Sequence, residues 1–454
     1  MTAPRIVVAG GGITGLVTAF TLRERAKQRG LDIDLTVLDA ADQPGGHART
    51  IVEDGFIVER GPNGFLDRAV DTMALVDELG LRDRLVEANP AAKRRFILRG
   101  GALRQVPESP PALITSDAIG WKGKFRLFRE PWAAAPPVDT DETVFDFAER
   151  RLGREAAEAF VDTAVAGISA GDSRALSVRS QFPILKEWER EHGSLLKAML
   201  ARQKKGAKRP RLLNFDAGMG TLTSTLASKL DGAIRADAPI DRIEECGDGW
   251  RVSVGGAAIA ADRVVLAMPA HAASRVASGF DRELSAALAS IPYAGLSVVA
   301  LAYRADAVTR PLDGYGYLVT GKEDLSTLGV LWESTIFPNR APQGWILLRV
   351  MLGGARRPEV AAFDDRMVAD LAASEAAGVL GIKGSPARQW ICRWPSAIAQ
   401  YTVGHDARIT AIKRFAAAHR GLHLCGTAYD GVSFNDAIAS ARKTAHAIVE
   451  ELAA

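Results

Sequence analysis

The sequence predicts an α/β fold: a Rossmann-like dinucleotide-binding domain joined to a mixed α+β part and a helical part. Three observations predict it. A glycine-rich turn separates an apolar strand from a helix near the N-terminus, residues 91–210 carry apolar residues mostly at helical spacing, and residues 297–351 are rich in strand-like runs. The composition agrees. Of 454 residues, 47% are hydrophobic and 24% charged, the mix of a folded globular chain, which excludes wholesale disorder. Lys and Arg number 57 against 54 Asp and Glu, a net charge of +3, too balanced for a protein that coats nucleic acid. Cys246, Cys392 and Cys425 are too widely spaced for a disulfide framework or a CxxC metal pair. No apolar run approaches the ~20 residues that cross a bilayer, and no basic segment leads into an apolar core and cleavage site at the start. The expectation is a cytoplasmic chain, peripheral at most on the inner face of the cell membrane.

Residues 5–9 read as a short buried strand, followed by Gly10-Gly11-Gly12-Ile13-Thr14-Gly15, a helical run over 16–29 and a second strand over 35–38 ending at Asp39. This is a βαβ unit with GxGxxG at its first turn. Gly10 permits the tight turn, Gly12 lets a pyrophosphate approach the backbone, and Gly15 lets the helix pack on the strand. Free N–H groups at the helix start suit the phosphates, and Asp39 suits a ribose hydroxyl. The next stretch favours FAD over NAD. Gln43-Pro44-Gly45-Gly46-His47-Ala48-Arg49 holds a second glycine pair with a basic residue, Arg49, close behind. Gly61-Pro62-Asn63-Gly64 then forms a close-approach loop that suits a flavin ring; taken alone it is an ordinary turn.

The nucleotide unit is discontinuous. Residues 251–254 and 263–267 read as strands, the second returning to the nucleotide sheet through Met268 and Pro269. Near the end, residues 422–426 form a strand that runs through Gly431-Val432-Ser433-Phe434 into a helix over 437–452. Such a junction can aim a helix N-terminus at the flavin edge that becomes anionic on reduction. Between these parts, helices are expected over 143–152 and 154–165, a break at Pro136-Pro137, and a solvated basic turn over 204–211. Strands are expected over 298–303, 315–319, 328–332 and 345–350, forming the floor of a substrate domain. In residues 121–132, Trp121, Phe125, Phe128 and Trp132 interleave with Lys122, Lys124, Arg126 and Arg129. Aromatic rings with cations suit an anionic lipid surface; a partly buried helix with solvated arginines is the competing reading.

Taken in order, the residue 10–15 loop with Asp39, the Gly45-Gly46 pair, and Gly61-Pro62-Asn63-Gly64-Phe65-Leu66-Asp67 resemble the FAD-dependent amine-oxidase superfamily. More narrowly they resemble its oxygen-dependent protoporphyrinogen oxidases. The likeness continues through Lys93-Arg94-Arg95-Phe96, Gly167-Ile168-Ser169-Ala170-Gly171-Asp172, Met351-Leu352-Gly353-Gly354, Arg393-Trp394-Pro395, Gln400-Tyr401 with Gly404-His405, and residues 426–438. It therefore covers essentially the whole chain.

The resemblance implies a Rossmann-like FAD domain assembled from residues 1–90, 211–272 and 405–454, a helical membrane-associating domain over 91–210, and a mixed α+β substrate domain over 273–404. It implies non-covalent FAD held by Gly10, Gly11, Gly12, Ile13, Thr14, Gly15, Asp39, Gly46, His47, Arg49, Gly61, Pro62, Asn63, Gly64, Ile240, Trp394, Thr427, Val432, Ser433 and Phe434. It implies a porphyrinogen substrate bound by Arg95, Gly167, Tyr315, Leu318 and Met351, with O2 as electron acceptor. Arg95 would pair with a propionate; Tyr315, Leu318 and Met351 would sandwich the macrocycle, and Gly167 would let backbone approach it. No catalytic acid, base or metal is named. The chain departs from the family pattern at Asp39 (usually Glu), Gln43 (commonly Arg), Ser169 (an aromatic), Ala399 (proline) and Ala437 (Cys). The expected reaction is oxidation of protoporphyrinogen IX to protoporphyrin IX. Coproporphyrinogen III oxidation, flavin amine oxidation and non-catalytic nucleotide binding are the alternatives. Oligomeric state is not legible, and a homodimer stays open.

Overall fold

A computed structural model describes residues 3–134, 140–204 and 210–454. The Pro136-Pro137 break and most of the basic turn at 204–211 lie outside the described residues.

Strand β1 (Arg5–Ala9) sends Ile6 and Val8 into one hydrophobic core and Val7 and Ala9 into another. A strand buried on both faces has no polar side to alternate with, hence its unbroken apolar run. It leads into helix α1 (Ile13–Gln28) and then strand β2 (Asp34–Leu38). α1 is buried almost continuously from Thr14 to Leu22, because the sheet lies on one side of it and helices Gly220–Lys229 and Phe434–Ala453 on others. Charged side chains begin only at Arg23, and Gly30, with φ +68°, ends the helix in the left-handed region that glycine enters freely.

The nucleotide sheet has five parallel strands in the order Ile234–Arg235, β2, β1, Arg263–Leu266, Leu422–Leu424. Its strands thus come from the two ends and the middle of the chain. A seven-stranded sheet forms the second layer, in the order Arg388–Ala399, Tyr293–Arg304, Trp345–Gly353, Thr327–Leu331, Gly314–Val319, Arg94–Arg99, Ala102–Gln105. The four strands expected between 297 and 351 are all present. Residues 94–105 differ from the helical reading of 91–210. Ile97 and Leu98 are buried, and Arg94–Arg99 pairs in parallel with Gly314–Val319, so sheet pairing overrides the surrounding helical pattern.

The helical segment packs around Val144, Phe147, Val165, Leu176 and Val178. Helix Val144–Leu152 starts at Thr143, whose Oγ1 accepts from Asp146 N at 3.0 Å. In helix Trp121–Phe128 the side chains divide sharply. Trp121 and Phe125 are 72% and 65% exposed, whereas Lys124 is buried and donates to Ile114 O at 2.7 Å. Arg126 donates to the carbonyls of Arg150 and Arg151. Two of the four cations expected on this surface are therefore structural. No helix among the described residues is long and apolar enough to cross a membrane.

Candidate active site

The turn after β1 is built by exclusion. Gly10 has φ +114°, and a Cβ there would stand 2.9 Å from Ala267 O. A Cβ on Gly15 would overlap Gly10 O, so α1 sits as close to β1 as backbone allows. Gly12 is different. A Cβ on it would meet nothing nearer than Gly46 Cα at 4.0 Å, so its surface faces open space. That space lies at the start of α1, which has no side-chain cap and no acid in its first turn. Uncapped N–H groups at a helix start bind anions. Gly45 N donates to Gly11 O at 2.7 Å, which pins the second glycine pair against the first.

A cavity of about 470 Å3 opens here. Its wall includes ten of the residues expected to hold FAD: Gly10, Gly11, Gly12, Ile13, Thr14, Asp39, Gly46, His47, Ile240 and Thr427. Burial pushes the Asp39 carboxyl up, while the Ala41 N–H, donating at 3.0 Å, and the Arg49 charge hold it down. His47 is exposed on this wall, and desolvation by the protein packed around it shifts it downward. An uncapped helix N-terminus, a glycine cradle that a Cβ would fill, and a half-buried acid beside it fit a dinucleotide's pyrophosphate and ribose.

The remaining expected cofactor residues stand outside this wall. Gly15 lies beneath the turn. Arg49 turns to Asp42 at 3.2 Å. Trp394 meets His47 edge-on, with centroids 4.3 Å apart, and donates through Nε1 to Arg60 O at 2.8 Å. Gly61 lies against the His47 carbonyl, and Gly64 against Leu213 O. Asn63 O accepts from Asn214 Nδ2 at 2.9 Å. Val432 packs in one hydrophobic core and Phe434 against Phe65 in another. Ser433 caps helix Phe434–Ala453 in a capping box with Asp436. That helix end is thus already capped and carries an acid in its first turn, unlike α1. The loop before it is held by Tyr401, whose hydroxyl donates to Thr427 O and accepts from Gly431 N, both at 2.8 Å.

The expected substrate residues meet at the seven-stranded sheet. The Arg95 guanidinium lies 5.4 Å from the Tyr315 ring centre. Arg94 pairs with Asp313 at 2.5 Å; among the described residues no carboxylate pairs with Arg95, which is exposed. Leu318 packs so closely on Gly167 that a Cβ there would come within 2.6 Å of Leu318 Cδ2. Met351 packs beside Tyr315 and also beside Ala166 and Leu328. The five residues, drawn from three strands and one helix, form one apolar wall with a cation at its rim.

Several lining residues escape the sequence reading. Met268, Pro269, Arg275, Tyr293 and Ala397 border the nucleotide cavity. The strand returning at 263–267 points to the first two; nothing local marks Arg275 or Ala397. Behind Tyr315, Glu59, Glu333, Arg340 and Arg349 form a buried charged group that no motif announces. Among the described residues no cluster of His, Cys, Asp or Glu could hold a metal ion.

Fold and cleft together define an FAD-dependent oxidoreductase of the two-layer, discontinuous kind. The chain belongs to the flavin containing amine oxidoreductase family, whose profile matches residues 13–449. Human protoporphyrinogen oxidase is 31% identical over 98% of each chain. The coproporphyrinogen III oxidase of Bacillus subtilis (strain 168) is 28% identical over 95% of each. A crystal structure of an Exiguobacterium sp. 255-15 protein, assigned to protoporphyrinogen oxidase, superposes with a TM-score of 0.87 at 24% identity, covering 99% of this chain and 100% of that one. The resemblance read from the motifs is thus matched along the whole chain.

Proposed function

We propose that this enzyme oxidises protoporphyrinogen IX to protoporphyrin IX, with O2 as acceptor and H2O2 as the second product. The observation that carries the reading is the unpaired Arg95 at the rim of the wall formed by Tyr315, Leu318, Met351 and Gly167. A porphyrinogen is a large apolar macrocycle with propionates at one edge. Arg95 takes a propionate through a charge-assisted pair and fixes the ring's rotation. Leu318 and Met351 offer apolar surface to the ring, at ~25 cal/mol per Å2 buried.

When bound there, FAD would supply the hydride-accepting and O2-reducing chemistry. The chain's residues bind and orient. Gly12, Gly46 and the α1 N-terminus would hold the pyrophosphate and Asp39 the ribose, with His47 and Trp394 at the cavity's edge. The macrocycle loses six electrons in three two-electron rounds, each releasing one proton and consuming one O2. Rate then depends on near-contact orientation against a dry wall.

Coproporphyrinogen III oxidation is the second reading, favoured by the similarity to the Bacillus protein. Purified enzyme offered both porphyrinogens in air, with porphyrin fluorescence as readout and autoxidation subtracted, decides between them. Faster conversion of protoporphyrinogen, with KM raised by Arg95→Ala, supports the first reading. Preference for coproporphyrinogen selects the second, and no turnover of either by flavin-loaded enzyme discards both.

We also propose peripheral membrane contact through helix Trp121–Phe128 and Trp132. Trp121, Phe125 and Trp132 are 72%, 65% and 80% exposed, and Lys122 and Arg129 flank them. Flotation with anionic liposomes tests this; equal recovery of wild type and Trp121→Ala/Trp132→Ala refutes it. Light scattering of the holoenzyme separates monomer from homodimer.

A further inference from the structure

Hydride transfer requires the substrate wall and the cofactor cavity in fixed register. The wall stands on the seven-stranded sheet, whereas the cavity stands on the nucleotide sheet. Residues 400–403, which follow strand Arg388–Ala399, bond to every part of the chain that meets between them. Gln400 N donates to Pro292 O at 2.8 Å, just ahead of strand Tyr293–Arg304. Tyr401 O accepts from Ser177 N at 2.8 Å, and Val403 N donates to Ala175 O at 3.0 Å, both in the helical part.

The side chains of Gln400 and Tyr401, each 4% exposed, go opposite ways, as neighbours on an extended chain do. Gln400 Nε2 donates at 3.0 Å to Ser169 O, at the end of helix Asp162–Ser169, and at 3.0 Å to Ile398 O. A carbonyl in the last turn has no donor within its own helix, so Gln400 supplies one. That helix carries Gly167, which lies against Leu318 in the wall. Gln400 Oε1 is buried and has no partner among the described residues. A Cβ on Gly171 would come within 2.7 Å of it, so glycine there leaves the amide room to reach Ser169. The Tyr401 hydroxyl reaches the other way, bridging Thr427 O and Gly431 N at 2.8 Å each. Thr427 lines the nucleotide cavity. The Tyr401 ring stacks on His405 with centroids 3.8 Å apart, which fixes where the hydroxyl points.

We propose that Gln400 and Tyr401 are positioning residues that hold the substrate wall in register with the flavin site. Gln400 acts through the end of helix Asp162–Ser169, and Tyr401 through the residue 427–431 loop. The inference rests on the porphyrinogen reading above. Neither side chain needs to touch substrate. Each sets the place of one side of the gap, and a displacement of ~1 Å in such a gap costs about 10²-fold in rate. A residue that only packs would instead change stability and flavin content, and leave the rate of each bound flavin alone.

The test compares holoenzyme of wild type, Gln400→Met and Tyr401→Phe, each of which keeps the side chain's bulk and removes its hydrogen bonds. Anaerobic bleaching by saturating protoporphyrinogen IX gives a limiting rate per bound flavin, and bleaching by dithionite serves as the control. Amide hydrogen exchange followed by mass spectrometry reports which segment is loosened. Gln400→Met should lower the limiting rate about tenfold or more, leave FAD affinity within about twofold, and speed exchange over residues 162–171. Tyr401→Phe should lower the limiting rate similarly, weaken FAD several-fold, and speed exchange over residues 427–431. Dithionite should bleach all three alike. A wild-type limiting rate per bound flavin in Gln400→Met overturns the proposal, even if its melting temperature falls. If Gln400→Met does not fold, a wild-type limiting rate in Tyr401→Phe overturns it equally. Wild-type flavin that neither porphyrinogen bleaches would instead remove the functional reading on which the proposal stands.

Discussion

Gly12→Ala separates cofactor binding from folding. Gly12 sits at φ −71° and ψ 180°, extended backbone that alanine adopts without strain. A methyl there meets nothing nearer than Gly46 Cα at 4.0 Å, so the apoprotein accommodates it. Lower unfolded-chain entropy favours alanine by ~0.4–1 kcal/mol, and its poorer N-capping offsets this by a similar amount. Apoprotein stability should therefore stay within about 1 kcal/mol of wild type. The same methyl occupies the space over the α1 N-terminus where the proposed site would hold the pyrophosphate. Losing two charge-assisted N–H bonds, at ~1.5–3 kcal/mol each, removes about 3–6 kcal/mol, or roughly 10²- to 10⁴-fold in FAD affinity. Quenching of FAD fluorescence by titrated apoprotein measures the affinity, and thermal melting of the apoprotein measures the fold. Gly15→Ala is the contrast: its methyl overlaps Gly10 O, so the fold itself should suffer. Wild-type FAD affinity in Gly12→Ala would refute the cradle.

Three further outcomes are expected. Gly167→Ala brings a methyl to 2.6 Å from Leu318 Cδ2, so steady-state kinetics should show KM for the porphyrinogen raised several-fold with bound flavin per chain unchanged. Ser433→Ala breaks the capping box of helix Phe434–Ala453 and should cost about 1 kcal/mol in urea unfolding. His419 lies between Glu245 at 2.7 Å and Asp281 at 2.8 Å; burial pulls it down, but these hydrogen bonds prevail and raise it. A raised histidine stabilises fully below its unfolded value of about 6.5 and loses that contribution as pH climbs through its folded value. The melting penalty of His419→Ala should therefore be larger at pH 6 than at pH 9.

What could be read in advance depended on how local the physics is. The residue 10–15 turn, α1 and Asp39 are legible because close packing needs glycine at Gly10 and Gly15, and because β1 is apolar on both faces. Arg95 carries no such mark. It differs from Arg94 only in that Asp313, over two hundred residues away, pairs with the latter. Lys124 and Arg126 read as lipid-facing cations, yet their donors go to backbone carbonyls that two neighbouring helices bring close. Nothing local marks Glu59, Glu333, Arg340 and Arg349, and only the assembled sheets bury them together. Likewise Arg94–Arg99 becomes a strand because Gly314–Val319 offers an edge to pair with, and Ala102–Gln105 then pairs on Arg94–Arg99.

The order of strands in the nucleotide sheet also governs how this enzyme is made. β1 leaves the ribosome early, but its neighbour Arg263–Leu266 follows more than two hundred residues later, and Leu422–Leu424 later still. At ~5–20 residues per second, roughly 20–80 s pass between the first strand and the last. The seven-stranded sheet imposes a second wait, since Arg94–Arg99 needs Gly314–Val319. Neither layer can close from a nascent fragment, so unpaired strand edges stay open through most of synthesis. The cofactor cleft, which draws its far wall from Thr427, is thus completed only after more than four hundred residues have followed β1. Flavin supply and chaperone cover at that moment, more than the stability of the finished fold, should set how much active enzyme a cell obtains.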